Sequence, residues 1–275
     1  MRAVLMILAL SLLGLSAEAA RDIPFDFVDG YILLHASVNA HPVTLMLDSG
    51  ASASVLSLQA ARRLHLALGG AQPVDGVDAN ATAYDIGPVN ATASGVALDE
   101  IGLAIDLRNA AQLCRERVDG LIGANFFRGR VTQIDYAHGW IRLLGNAPEQ
   151  GVSLPLRARN GVFCLPVSVN GSRPRWTRLD TGCNDAVHWV VPRMAATDGP
   201  RGVSVGFITD TADETPVSVR LGRLMLPGVP AVLHGSAIFP GEAGLLGSEV
   251  LAQYLVTIDA RTPQLGRILL ASADR

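Results

Sequence analysis

Two acidic tripeptides stand at the ends of apolar runs, Asp48-Ser49-Gly50 after Leu45-Met46-Leu47 and Asp180-Thr181-Gly182 after Leu179. Each is followed at a similar distance by a hydrophobic-hydrophobic-glycine element, Leu121-Ile122-Gly123 and Leu245-Leu246-Gly247. One such tripeptide alone is an ordinary turn, because Asp and Gly in a bend satisfy local hydrogen bonds. A matched pair calls for chemistry. An Asp at the end of a buried strand projects from a loop, the hydroxyl residue after it bonds neighbouring backbone, and the Gly lets a second loop approach closely. If two such loops meet about a pseudo-twofold, their carboxylates cannot both ionise cheaply and share one proton. One is then a base and the other an acid. That combination activates a water for attack on a carbonyl and hydrogen-bonds the oxygen where charge develops.

The elements that must present these loops are mostly strands. Short apolar or alternating runs rich in Val, Ile, Leu and Thr occupy residues 31–38, 43–47, 162–169, 203–209 and 217–221, with Gly, Asn, Asp and Pro between them. The clearest helix is predicted over 57–68, with Ser57 as N-cap and Leu58, Ala61, Leu64 and Leu68 on one packing face. An internal repeat organises the rest: the interval from Gly123 to Gly247 equals that from Asp135 to Asp259. Each Gly opens the same predicted series of turn, short helix, strand, turn and strand. The polar stretch 145–151 is the natural linker, which divides the chain into 20–147 and 148–275.

Composition narrows the function classes. At 275 residues, 49% hydrophobic and 17% charged, the chain can bury one large core or two smaller ones. A net charge of −3 with no dense Lys/Arg window argues against a nucleic-acid partner. Residues 1–19 read as an export signal, with Arg2, an apolar run over 3–15 and an Ala17-Glu18-Ala19 cleavage site. The expected location is periplasmic or secreted. The apolar run is shorter than the ~20 residues that span a bilayer, so no stable membrane anchor is expected after cleavage. Cys114, Cys164 and Cys183 leave at least one free thiol; a Cys114–Cys164 bridge and three buried thiols both stay open. The six histidines have no paired metal-binding spacing, so no metal ligand is expected among them.

The four motifs Asp48-Ser49-Gly50-Ala51, Asp180-Thr181-Gly182, Leu121-Ile122-Gly123 and Leu245-Leu246-Gly247 resemble those of the pepsin and retropepsin superfamily of aspartic proteases. The chain looks like a tandem of two retropepsin-like halves, similar to bacterial-type exported aspartyl proteases. The resemblance implies an all-β, bilobal fold of two similar β-barrel-like lobes with short helices around a central cleft. It implies an aspartic endopeptidase acting on peptide or protein substrates as a monomer, without metal or organic cofactor. Asp48 and Asp180 would form the dyad, Ser49 and Thr181 would cross-link the two loops, Gly50 and Gly182 would let them approach, and Gly123 and Gly247 would support them. Tyr84, in a flap-like stretch over 72–86, and Phe207, beside a second expected hairpin tip at 210–214, are the candidate substrate-covering residues. A non-catalytic peptide-binding protein on the same fold is the alternative. Many pepsin-like enzymes place a hydroxyl three positions after the aspartate, where this chain has Ala51 and Cys183. With fewer donors to the ionised form, the dyad is expected to titrate high.

Overall fold

The computed structural model describes residues 22–75, 80–98, 101–108, 114, 116–191, 214–262 and 266–273. The expected export signal and the segment 203–213, including Phe207, lie outside the described residues. The fold is all-β with short helices, as the strand-like runs led us to expect.

Three antiparallel strands open the described chain, β1 (Asp22–Val28), β2 (Tyr31–Val38) and β3 (His41–Leu47). They are joined by two-residue turns at Asp29-Gly30 and Asn39-Ala40, all four residues with positive φ. Such turns match the twist of the flanking strands, and Asp, Asn and Gly tolerate that conformation best. After β4 (Val55–Ser57) and α1 (Leu58–Arg63) come β5 (Ala71–Asp75), β6 (Asn80–Asp85), β7 (Ala91–Ala93), β8 (Val96–Ala97), β9 (Leu103–Ile105) and β10 (Gly120–Ile122). β10 runs parallel to β3 and antiparallel to β4, so it lies between them.

β11 (Val131–Asp135), β12 (Trp140–Leu144) and β13 (Val152–Arg159) follow, the 145–151 stretch forming irregular chain between the last two. β13, β14 (Val162–Val169) and β15 (Arg175–Leu179) repeat the opening arrangement, with positive φ at Asn160-Gly161 and Asn170-Gly171. β16 (Val187–Val190), β17 (Glu214–Leu221), β18 (Leu224–His234) and β19 (Gly244–Leu246) complete this sheet. β19 is parallel to β15 and antiparallel to β16, the same placement that β10 has between β3 and β4. Helix α2 (Ser248–Leu251), β20 (Tyr254–Asp259) and β21 (Gly266–Ser272) end the fold.

A third set of pairings ties the two sheets together in the order β1, β12, β11, β20, β21, β13. Its central ladder, β11 against β20, is centred on Gln133 opposite Thr257. The two side chains hydrogen-bond at 3.0 Å in the interior. The flanking pairs Val131–Asp259 and Asp135–Leu255 exchange under the offset that separates Gly123 from Gly247. β1 and β13 each pass from this joining set into one of the outer sheets. One apolar core, including Leu34, Leu45, Leu47, Phe126, Phe127, Leu165, Leu179 and Ile258, runs through all three. Burying each such side chain contributes roughly 1.5–3 kcal/mol relative to exposure.

Two local expectations differ from the structure. The helix predicted over 57–68 ends at Arg63, with Leu64 as C-cap and His65 at positive φ. Ser57 caps its N-terminus by accepting from the Ala60 N–H, but Leu68 is exposed rather than on the packing face. Residues 217–221 belong to β17, whose hairpin partner is β18 across Gly222; Glu214, expected in a tip, begins the strand. Alternation alone identifies a strand without naming its partner.

Candidate active site

The Asp48 loop leaves β3 and the Asp180 loop leaves β15, and in each case the following strand of the parallel pair holds the loop. Asp48 N–H donates to Ile122 C=O at 2.9 Å, and Asp180 N–H donates to Leu246 C=O at 3.0 Å. The next turn is fastened in the same way: Ala124 N–H to Ala51 C=O at 2.7 Å, and Ser248 N–H to Cys183 C=O at 2.8 Å. Glycine is required where these segments meet. A Cβ on Gly123 would lie 2.5 Å from the Ala53 carbonyl, and one on Gly247 would overlap the Asp185 and Cys183 carbonyls.

Ser49 and Thr181 join the loops reciprocally. Ser49 N–H donates to Thr181 Oγ1 at 2.9 Å, and Thr181 N–H donates to Ser49 Oγ at 3.0 Å. Each hydroxyl then donates to a carbonyl of the opposite strand, Ser49 Oγ to Leu179 at 2.8 Å and Thr181 Oγ1 to Leu47 at 2.9 Å. All these groups are buried. Ser49→Ala or Thr181→Val would strand one N–H and one C=O, each costing roughly 1–3 kcal/mol. The double-mutant cycle, read by urea unfolding, should be non-additive because the four bonds close one ring; strict additivity would mean the two hydroxyls act separately.

This arrangement sets the two carboxyls face to face. Asp48 and Asp180 are both buried, with Asp48 accepting from Ala51 N–H at 2.9 Å and Asp180 from Gly182 N–H at 3.0 Å. A Cβ on Gly182 would sit 2.5 Å from Asp48 Cγ, and one on Gly50 would overlap the Asp180 carboxyl. Gly50→Ala or Gly182→Ala should therefore push the carboxyls apart. If the pair does the chemistry that the resemblance implies, a displacement near 1 Å costs about 10²-fold in rate, measurable as initial cleavage velocity in a variant with unchanged circular dichroism.

Burial and the facing Asp180 carboxylate hold the Asp48 carboxyl well above the usual carboxylate range. Burial raises Asp180 as well, while the Arg178 guanidinium, the Gly182 N–H and a hydrogen bond from Asp48 pull it back down. Two raised carboxyls this close titrate as one coupled pair.

Arg178 carries no expectation from the motifs, although it stands two positions before Asp180. It is fully buried, donates through Nε and Nη2 to Glu242 at 2.7 and 2.8 Å, and through Nη1 to Gly50 C=O at 2.9 Å. The Phe239 ring lies against its guanidinium, 3.2 Å from centroid to Cζ. One buried cation thereby braces the first aspartate loop from the second sheet. An arginine two positions before the second aspartate was the available signal; Glu242, 64 residues on, offered none.

Tyr84 lies in the β5–β6 hairpin, which forms where a flap was expected. It sits at the base of that hairpin, opposite Ala71 and Ala104, and on the other face from Val74 and Ala83. Those two pack with Tyr31, Met46, Ala51 and Leu121 beneath the first aspartate loop. All three cysteines are free and buried, which settles the thiol alternatives. Cys114 and Cys164 lie in different core clusters.

Residues 34–129 match the model of a family described as "gag-polyprotein putative aspartyl protease". The matched segment contains Asp48-Ser49-Gly50 and Leu121-Ile122-Gly123, and it supports membership of the retropepsin-like aspartic protease superfamily and a general protease function. The second aspartate loop lies beyond it. A comparison with curated proteins gives no match.

Proposed function

We propose that this chain is an exported, single-chain aspartic endopeptidase in which residues 20–147 and 148–275 each supply one aspartate of a catalytic dyad. The observation that carries this reading is the reciprocal Ser49–Thr181 lock, which brings two buried carboxyls together so that they share a proton. The symmetric register of β11 on β20 supports the tandem organisation.

In the proposed reaction the ionised carboxylate of the pair takes a proton from a water bound between the two side chains. Its protonated partner donates to the peptide carbonyl oxygen as the tetrahedral intermediate forms. Collapse of that intermediate returns a proton to the leaving amine and restores the pair. Both half-sites lie in one chain, so a monomer suffices. Export rests on the sequence of residues 1–19. Among the described residues no helix is long and apolar enough to cross a membrane.

Peptide-library digestion by the mature chain from about pH 3 to about pH 8 tests the reading. Activity requires the singly protonated pair, so the rate rises as the first proton leaves and falls as the second does. Because both carboxyls are raised, the maximum should fall at weakly acidic to neutral pH. A maximum below about pH 3 would contradict the electrostatics described above. A folded wild type that cleaves nothing would favour the peptide-binding alternative.

A further inference from the structure

We propose that Cys183, Asp185 and His188 form a site for a borderline-soft divalent cation of the zinc class, distinct from the peptidase chemistry. A sulfur, a carboxylate oxygen and an imidazole nitrogen from these residues lie within 4.8 Å of one another. They converge because the chain turns at Thr181-Gly182 and bends again before β16, placing Cys183 just after the turn, Asp185 in the bend and His188 on the strand. The Cys-x-Asp-x-x-His pattern is visible in the sequence, but its spacing belongs to no regular element and becomes a cluster only through this bend.

The frame is already fixed by hydrogen bonds. Cys183 C=O accepts from Ser248 N–H at 2.8 Å, and Ala186 C=O accepts from Gly247 N–H at 3.0 Å. His188 is fully buried, its Nε2 2.8 Å from Asp185 Oδ2 and its Nδ1 2.9 Å from His234 Nε2. A second hydrogen-bonded group on the far ring nitrogen is the arrangement that orients a metal-bound imidazole. The Asp185 side chain is 34% exposed while that of His188 is 0% exposed, so a cation would enter from the Asp185 side.

Donor chemistry selects the ion. A thiolate and a carboxylate neutralise a dication, and the mixed sulfur, nitrogen and oxygen set favours zinc over calcium or magnesium. Three protein donors leave a fourth tetrahedral position for water.

The proton balance is simple. An ionised Asp185 can only accept, which puts the proton of that contact on His188 Nε2 in the metal-free protein and leaves Nδ1 of the neutral ring to accept from His234. On loading, His188 takes up the other tautomer, with Nδ1–H donating to His234 and the Nε2 lone pair on the metal; His234 changes tautomer in step. Cys183 S–H becomes the S–metal bond and releases one proton to solvent. No oxidant or reductant is involved.

Cobalt(II) is the probe, added to the folded full-length protein and followed by absorption. Wild type should bind one equivalent, with a thiolate-to-cobalt charge-transfer band and intense tetrahedral d–d bands, both erased by competing zinc. Cys183→Ser should lose the charge-transfer band. Asp185→Asn, on a partly exposed side chain, should weaken binding without unfolding the protein. His234→Gln, acting through His188, should weaken it by about 10–100-fold. Absence of the charge-transfer band in wild type, or its persistence in Cys183→Ser through Cys114 or Cys164, would overturn the proposal. The readout does not involve cleavage, so it stands or falls separately from the peptidase reading.

Discussion

Asp48→Asn and Asp180→Asn should each lose at least about 10³-fold in peptide cleavage and yet be more stable than the wild type at neutral pH. On the proposed mechanism the loss follows because either amide removes one of the two carboxyls that must act together as base and acid. The gain follows from the same burial. A carboxyl whose pKa is raised on folding contributes stability that is complete below its unfolded value, about 3.9 for Asp, and is lost as pH rises through the folded value. Both dyad residues are raised in the folded protein. At neutral pH the wild type therefore bears the cost of burying charge between the loops. An Asn side chain can donate to the remaining carboxylate and cannot ionise. Each pKa unit of elevation removed is worth about 1.4 kcal/mol. Thermal unfolding from about pH 3 to about pH 8 should show variant and wild-type curves converging in acid and separating as pH rises. Equal stability at all pH values would show that the carboxyls do not share a buried proton.

Arg178→Met should destabilise the fold by about 3–5 kcal/mol, whereas Arg178→Met with Glu242→Leu should recover most of the loss. The asymmetry comes from desolvation. The ion pair is buried, with both side chains 1% exposed. Removing the cation alone leaves a carboxylate in an apolar interior beside Phe239, while removing both leaves only packing to be remade. What the double variant should not recover is the bond from Arg178 to Gly50 C=O, about 0.5–1.5 kcal/mol. Urea midpoints of the two variants give the comparison. A double variant as unstable as the single one would assign the effect to the brace on Gly50 rather than to the ion pair. Loss of Arg178 also removes the cation that pulls both aspartates down, so the acid limb of the pH-rate profile should move to higher pH.

The candidate site was legible because its residues are tied to local patterns. Asp48 and Asp180 follow apolar strands, Gly123 and Gly247 follow two hydrophobic residues, and the repetition of both marks them as a set. The mostly β character was legible from alternation, and the irregular chain over 145–151 from its polar, Gly- and Pro-containing composition. What escaped depends on distant residues meeting. Glu242 is unremarkable in sequence until β15 and β19 bring it to Arg178. The partner of β17 is a matter of pairing, which alternation does not encode. The shortened helix has a local cause, the positive φ of His65, but a histidine there gives little warning because Gly or Asn is the usual residue at such a stop.

The Ser49–Thr181 lock also constrains when the protein can work. It joins residues 132 positions apart. Contacts of such long sequence separation close late, since the intervening chain must surrender its freedom before they repay it. During synthesis, strands β1 to β10 can assemble around Asp48 well before Thr181 has been made. On the proposed reading, hydrolytic competence arrives only with this final docking. A nascent chain bearing a complete first loop is still harmless to its neighbours and to itself.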